Sequence, residues 1–268
     1  MPLTISHPAA AIPLSRYGLN IQALILGSMV PDLVFFINLN SWRDFSHSIG
    51  GLFFFCLPAG LLLLAIYHWL VKEPLFSLLP QWPPIRSTRK TEFRIGTLLI
   101  TAFSVLIGAA THLIWDSFTH EQGFVIDHLP FLTRTVFDVG FDHIPLTRIL
   151  HHMGSLFGAI WMMNWIRYRW IECKSQYVNM DMKEKRSRKG LRLAILTTAF
   201  LVFGIMYSWL LAQPIKTYDQ LRQTMVGGLF ATGTITLSFT MVYSLFWQFI
   251  LKRDFFQKVP GQQQSESD

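Results

Sequence analysis

The chain has 268 residues, of which 51% are hydrophobic and only 15% charged. A soluble domain carries about a quarter of its residues charged, so this composition points to a membrane protein and away from an ordinary soluble fold. The net charge of +7 is therefore read by where the basic residues sit, and no nucleic-acid partner is expected. The two cysteines, Cys56 in an apolar run and Cys173 in a basic one, indicate neither a disulfide framework nor a thiolate metal site.

The N-terminus has no basic run followed by a cleavage site, so no removable signal peptide is expected. The stretch "LNIQALILGSMVPDLVFFINL" is apolar but interrupted by Pro31-Asp32, and reads as a partly buried helix and a turn. With residues 1–47 it is expected to form a re-entrant or interfacial helical hairpin. His7 precedes Pro8, which biases it out of the α region.

A bilayer span needs about 20 apolar residues. Five segments qualify between charges: 48–71, 95–115, 149–166, 193–215 and 223–251. The fold class is therefore read as all-α, an integral membrane helical bundle of about five spans plus the N-terminal hairpin. Residues 1–170 form a helical domain, 171–190 a basic loop, 191–252 a C-terminal transmembrane hairpin, and 253–268 a polar tail. "GGLFATG" at 227–233 offers small residues for packing on the bundle or for an oligomer contact.

Loop charge sets the expected orientation. Five Lys and Arg lie in 72–94, nine in 167–192 including "KEKRSRK", and three in the tail from Lys252. The regions 1–47, 116–148 and 213–222 hold two each. The expectation is a multi-pass protein of the cell (inner) membrane, with basic loops cytoplasmic and 1–47 and 116–148 facing outward.

That topology gathers polar residues at one membrane face. "THLIWDSFTH" places His112, Asp116 and His120 at steps of four, on one helix face. His47 in "FSHSIGG" starts the first span, and "ILHHMGS" starts the third at the same level. Of His151 and His152, only one can point inward, and His152 is taken. His68 lies at the wrong end of the first span, and His128 and His143 stand beside acidic residues in the outer loop. The candidate metal set is His7, Asp32, His47, His112, Asp116, His120 and His152. Ionisable groups at the end of a span default to a functional reading. Imidazoles and carboxylates without thiolates suit zinc, with manganese or iron as second choices. Seven ligands allow one or two ions, with Asp116 as the bridge. Arg43, Arg134 and Arg148 are on the same side and are candidate substrate contacts.

The motifs "MPLTISHPAAAIPL", "LGSMVPDL", "FSHSIGGLFFFCLPAGLLLL" and "GAATHLIWDSFTHEQG" together resemble a bacterial integral-membrane family, domain of unknown function 4184, over roughly residues 1–170. More distantly, His7, Pro31-Asp32, His47-Ser48 and His112-x-x-x-Asp116 are similar to motifs of membrane-bound metal-dependent hydrolases, and through them to helical zinc-dependent phospholipase C. The resemblance implies metal-dependent phosphoester hydrolysis. The latter class carries a late His-x-x-x-Glu motif. Here His151 is followed four residues on by Ser155 and His152 by Leu156, so one or two ions are implied rather than three.

Three functions follow as expectations. One is a membrane-embedded metal-dependent hydrolase acting on a phosphoester or lipid-linked substrate at the outer face, with membrane lipid as partner. The second is a non-catalytic protein whose cluster binds metal for structure or sensing. The third, a transporter, fits less well, because the ionisable groups gather at one end of the spans and no repeat is evident.

Overall fold

The computed structural model describes residues 4–37, 39–78, 95–119, 124–138, 143–175, 197, 201, 204 and 218–251. The chain divides into two compact units. One comprises Met1–Leu64 and Arg86–Gln176, the other Ala65–Ile85 and Tyr177–Asp268. The described residues are mainly helical: α1 (Pro8–Ala11), α2 (Ile21–Gly27), α3 (Leu33–Phe36), α4 (Arg43–Ser46), α5 (Ile49–Leu75), α6 (Ile95–Thr119), α7 (Phe124–His128), α8 (Leu146–Ser175) and α9 (Tyr218–Phe246).

The apolar N-terminal stretch breaks at Pro31. Helix α2 ends, the 3-10 turn Val30–Asp32 follows, and α3 leads off from Asp32. Asn20 starts α2 for a clear reason. Its Oδ1 accepts from the backbone N–H groups of Gln22 and Ala23 at 3.0 and 3.2 Å, two of the donors that a helix start leaves unpaired. Its own N–H donates to Ser104 Oγ on α6 at 2.9 Å, tying the start of α2 to the middle of α6.

Helices α2 and α6 share the most extensive contact of the first unit. They cross at glycines. A side chain at Gly27 would collide with the Val105 backbone, and one at Gly108 with the backbone of Leu24 and Ser28. Around this crossing, Ala23, Leu64 and Val105 form one buried apolar cluster, and Val30, Cys56 and Ala109 another. Both join α2 or the following turn to α5 and α6.

Ser48 caps α5 through a 3.0 Å bond from the Gly51 N–H. The helix contains a wider π turn at Leu52–Cys56. Pro58 lies two residues on, lacks an N–H and would crowd the carbonyl four residues back. The wider turn relieves that crowding without ending the helix.

Among the described residues, two helices are long and apolar enough to cross a membrane, α5 and α6. Helix α8 has the length, but Arg148, His151 and His152 at its start and Arg167, Arg169 and Glu172 near its end dilute its hydropathy. The expected third span, 149–166, lies within it. The fourth, 193–215, falls almost wholly outside the described residues, as do "KEKRSRK" and the polar tail. The fifth, 223–251, falls on α9 and the π turn Trp247–Leu251. The number of such spans is therefore two among the described residues, where the sequence reading gave five.

The all-α expectation has one further exception. Thr135–Asp138 (β1) and His143–Pro145 (β2) pair as an antiparallel hairpin, with Phe137 opposite Ile144 and Asp138 opposite His143. The segment read as an acidic outer loop carries Val136, Phe137 and Ile144, side chains that favour extended backbone.

In the second unit, the part of α5 from Ala65 packs against α9. Within α9, Thr232, Thr236 and Thr240 donate their hydroxyls to carbonyls four residues back, which satisfies them without an outside partner.

Candidate functional site: a buried His/Asp cluster

Five residues from four places in the sequence meet in the first unit. His7 stands at the start of α1, Asp32 in the turn before α3, His47 between α4 and α5, and His112 and Asp116 on α6. Two sets of ligand atoms converge within 4.8 Å: those of His7, Asp32 and His112, and those of His47, His112 and Asp116.

Local structure explains each position. His112 lies one turn after Gly108, on the face that crosses α2. The close approach of the two helices brings the Ser28 carbonyl within 2.7 Å of His112 Nδ1. A carbonyl only accepts, so Nδ1 carries the proton and donates. In the neutral ring Nε2 then presents its lone pair to the cluster. His47 Nδ1 lies 3.0 Å from both the Arg43 carbonyl and the Ser46 hydroxyl, and the carbonyl accepts from it when Nδ1 carries the proton. The Ser46 hydroxyl, 3.0 Å from the Pro31 carbonyl, ties the His47 segment to the turn that carries Asp32. Asp32 Oδ2 accepts from Thr4 Oγ1 at 2.7 Å, which orients Oδ1 toward the two imidazoles. His7 is held from both sides. Its ring stacks on that of His112 at 3.8 Å between centroids. Its neighbour Ser6 packs where Gly158 of α8 has no side chain.

His7 is in the helical region, φ −59° and ψ −36°, contrary to the expectation set by Pro8. The 3-10 turn Thr4–Ser6 runs directly into α1. His7 therefore joins two helical turns, and its burial outweighs the pre-proline preference, with Pro8 at the favoured first position of α1.

The distances are informative. His47 Nε2 lies 3.5 Å from Asp32 Oδ1 and 3.7 Å from Asp116 Oδ2. His112 Nε2 lies 3.6 and 3.5 Å from the same two oxygens. His7 Nε2 is 3.7 Å from Asp116 Oδ1. Charge-assisted hydrogen bonds are shorter, about 2.7–2.9 Å. Nε2 of His7, His47 and His112 and Oδ1 of Asp32 are buried atoms with no hydrogen-bond partner. Leaving even one such atom unpaired costs about 1–3 kcal/mol, and here four face one another.

A shared cation would resolve this arrangement. Nε2 of His47 and of His112 each lie 3.5–3.7 Å from both aspartate oxygens, a spacing expected between neighbouring donors that each stand about 2.2 Å from one tetrahedral zinc. The outward hydrogen bonds of His112, His47 and Asp32 are of the kind that orient metal ligands. Burial, reinforced by the neighbouring His112, pushes the pKa of His7 down to about 3, which keeps its ring neutral near pH 7. Burial alone would raise Asp32. The His47 contact, the neighbouring His112 and the Thr4 hydroxyl together outweigh it and hold the carboxyl below its ordinary value. A neutral imidazole and an ionised carboxylate are the states a metal requires.

The remaining sequence candidates are placed differently. Of the adjacent histidines on α8, His151 is buried and His152 exposed, the reverse of the choice made from sequence. The helix phase was not fixed by its pattern, because both neighbours are polar. Neither is among the converging ligand atoms. His120 lies outside the described residues. Arg43 pairs on the surface with Asp44 at 3.3 Å, and its backbone rather than its guanidinium supports the cluster. Arg134 is exposed and Arg148 half-buried at the start of α8. Thr4, Ser28 and Ser46, which orient the ligands, were not found by sequence reasoning. Ser28 and Ser46 do lie beside the "VPD" and "SHS" motifs, which is the one signal that marks them.

Residues 1–234 match the sequence model of a family described as Domain of unknown function (DUF4184). No curated protein and no solved structure gave a match.

Proposed function

The chain thus belongs to the DUF4184 family, and from the cluster we propose that it is a membrane-embedded, metal-dependent hydrolase of phosphoester or lipid-linked substrates. The observation that carries the reading is the set of buried Nε2 and Oδ1 atoms, spaced too widely for hydrogen bonds and correctly for a common divalent cation. His47, His112, Asp32 and Asp116 would hold it, with His7 as a fifth ligand.

Zinc is the proposed ion, because the donors are nitrogen and carboxylate oxygen without thiolate. One ion fits better than two. Both converging sets use His112, whose Nδ1 is committed to Ser28, so only one lone pair remains to share. Bound there, the cation would acidify water and polarise a phosphoryl oxygen. The protein's own part is to hold the imidazoles in one tautomer, keep His7 neutral, and limit water to the side of His47. That residue is the most accessible of the three histidines, with 14% of its side chain exposed.

The membrane setting rests on composition and on the outer surface. Helices α5, α6 and α8 expose large apolar side chains, including Phe54, Leu99, Phe103, Leu156 and Phe157. Exposed apolar side chains in this number are suited to contact with lipid or a partner. On this reading the chain is a multi-pass inner-membrane protein of about five spans, with its basic loops cytoplasmic and the cluster toward the outer face.

The deep burial of His7, Asp32 and His112 favours a second reading, a structural metal centre. Mass spectrometry of purified protein and of Asp116→Ala tests both. Stoichiometric metal lost in the variant supports the centre. Turnover of phosphoester or phospholipid substrates by the metal-loaded protein, absent in the variant, selects the hydrolase. Absence of metal after supply of zinc and manganese would overturn the proposal.

A further inference from the structure

Beside His7 lies a cavity of about 140 Å³, bounded by α1, the end of α6 and the start of α8. Its walls are Ala9, Ala10, Trp115, Phe157 and Trp161. Its polar lining is Ser6 and His7, and no acidic side chain, lysine or arginine borders it among the described residues. The glycines Gly154 and Gly158 complete the wall, one against Trp115 and the other against Ser6.

Two features locate this cavity functionally. At one end His7 belongs to both the cavity and the His/Asp cluster, with Nε2 3.7 Å from Asp116. At the other, Phe157 belongs to both the cavity and an exposed apolar stripe on α8 formed by Met153, Leu156, Phe157, Ile160 and Met163. Those residues recur at steps of three and four and so share one face of the helix. The cavity thus lies between an apolar outer surface and His7, the cluster residue in its wall. Its lining suits hydrocarbon and offers nothing to neutralise a charged group.

We propose that this cavity seats the head-proximal segment of one acyl chain of a bilayer phospholipid, entering sideways past Phe157, with the phosphoester of that lipid at the cluster. The proposal rests on the hydrolase reading for the role of the cluster and narrows its substrate class to phospholipids. The two indoles enclose a narrow chain, and the chain orients the head group toward His7. Binding energy away from the reacting atoms then serves positioning.

The test uses full-length protein in nanodiscs of phosphatidylethanolamine and phosphatidylglycerol, doped with a phospholipid carrying a diazirine a few carbons from the glycerol. After irradiation, peptide mass spectrometry maps the adducts. Label should concentrate on Trp115 and Trp161 relative to Leu156 and Ile160. In Ala9→Phe, which fills the cavity, label on the two tryptophans should fall about tenfold, the equivalent of ~1.4 kcal/mol, while label on Leu156 and Ile160 stays. Ala10→Phe, at an exposed position of the same wall, serves if Ala9→Phe does not fold. Metal content of the variants reports that the cluster is intact. Uniform label along α8, or label on the tryptophans that survives the filled cavity, would overturn the proposal. Metal content and turnover are read separately. Site-selective label in a protein that takes up no metal would sink the hydrolase reading and leave the chain seat standing, and the converse result would do the reverse.

Discussion

Replacing Thr4 with valine removes one hydroxyl and keeps the shape of the side chain. That hydroxyl donates to Asp32 Oδ2 at 2.7 Å and is the contact that leaves Oδ1 facing His47 and His112. Without it the carboxylate is free to rotate, and Oδ1 is no longer held 3.5 and 3.6 Å from the two imidazole nitrogens. Loss of a partner that orients a metal ligand typically weakens metal binding 10- to 100-fold, which is about 1.4 to 2.7 kcal/mol. Thr4→Val is therefore expected to bind the proposed zinc 10- to 100-fold more weakly than the wild type, read by competition against a chromophoric chelator in detergent. Ser104→Ala is the control. It deletes a bond of similar length, 2.9 Å to the Asn20 N–H, away from the cluster. It should lower thermal stability and leave zinc affinity unchanged. Equal zinc affinity in Thr4→Val and wild type would refute the orienting role of Thr4. Equal weakening in both variants would show that affinity follows global stability rather than the carboxylate.

Gly108→Ala sets a methyl group against the backbone of Leu24 and Ser28. It should destabilise the protein by about 1–3 kcal/mol, seen as a lower Tm, and weaken metal binding as the Ser28 carbonyl leaves His112. His152→Ala, at an exposed position, should retain full metal content; loss of metal would place His152 in the site against its burial. Acidification of the chelated, metal-free protein probes His7, which His112, Asp116, Asp32 and His47 face within the cluster. Its pKa is about 3 folded against 6.5 as the ordinary value, so the unfolded chain binds a proton that the folded chain does not. Stability should fall as pH drops from 6.5 toward 3, by up to ~1.4 kcal/mol per unit. His7→Gln should flatten the profile by one proton, and an unchanged slope would remove His7 from the linkage.

How much of this was legible in the chain depends on the range of the interaction that decides it. Helical periodicity is local, so the step of four alone put His112 and Asp116 on one face of α6. Proline chemistry is local too, and Pro31 marked the turn that carries Asp32. Composition, being a sum over the chain, pointed away from an ordinary soluble domain. The number of spans was less legible, because hydropathy read between charges treats 149–166 as apolar, although His151 and His152 interrupt its start. The hairpin at 135–145 was missed because its strands are three and four residues long and depend on each other for pairing.

The tertiary structure alone decided which polar residues meet. His7 and His47 reach Asp116 across 109 and 69 positions of sequence, through the α2–α6 crossing at Gly27 and Gly108 and the Gly158–Ser6 contact, and no periodicity encodes such distances. It also settled the phase of α8, turning His151 inward and His152 outward. It assigned the tautomers as well, since a ring nitrogen donates only once a carbonyl such as that of Ser28 stands beside it. Residue types and local spacing therefore named the donors, while close helix packing, available only where glycine removes a side chain, determined which donors converge and which of their atoms face inward.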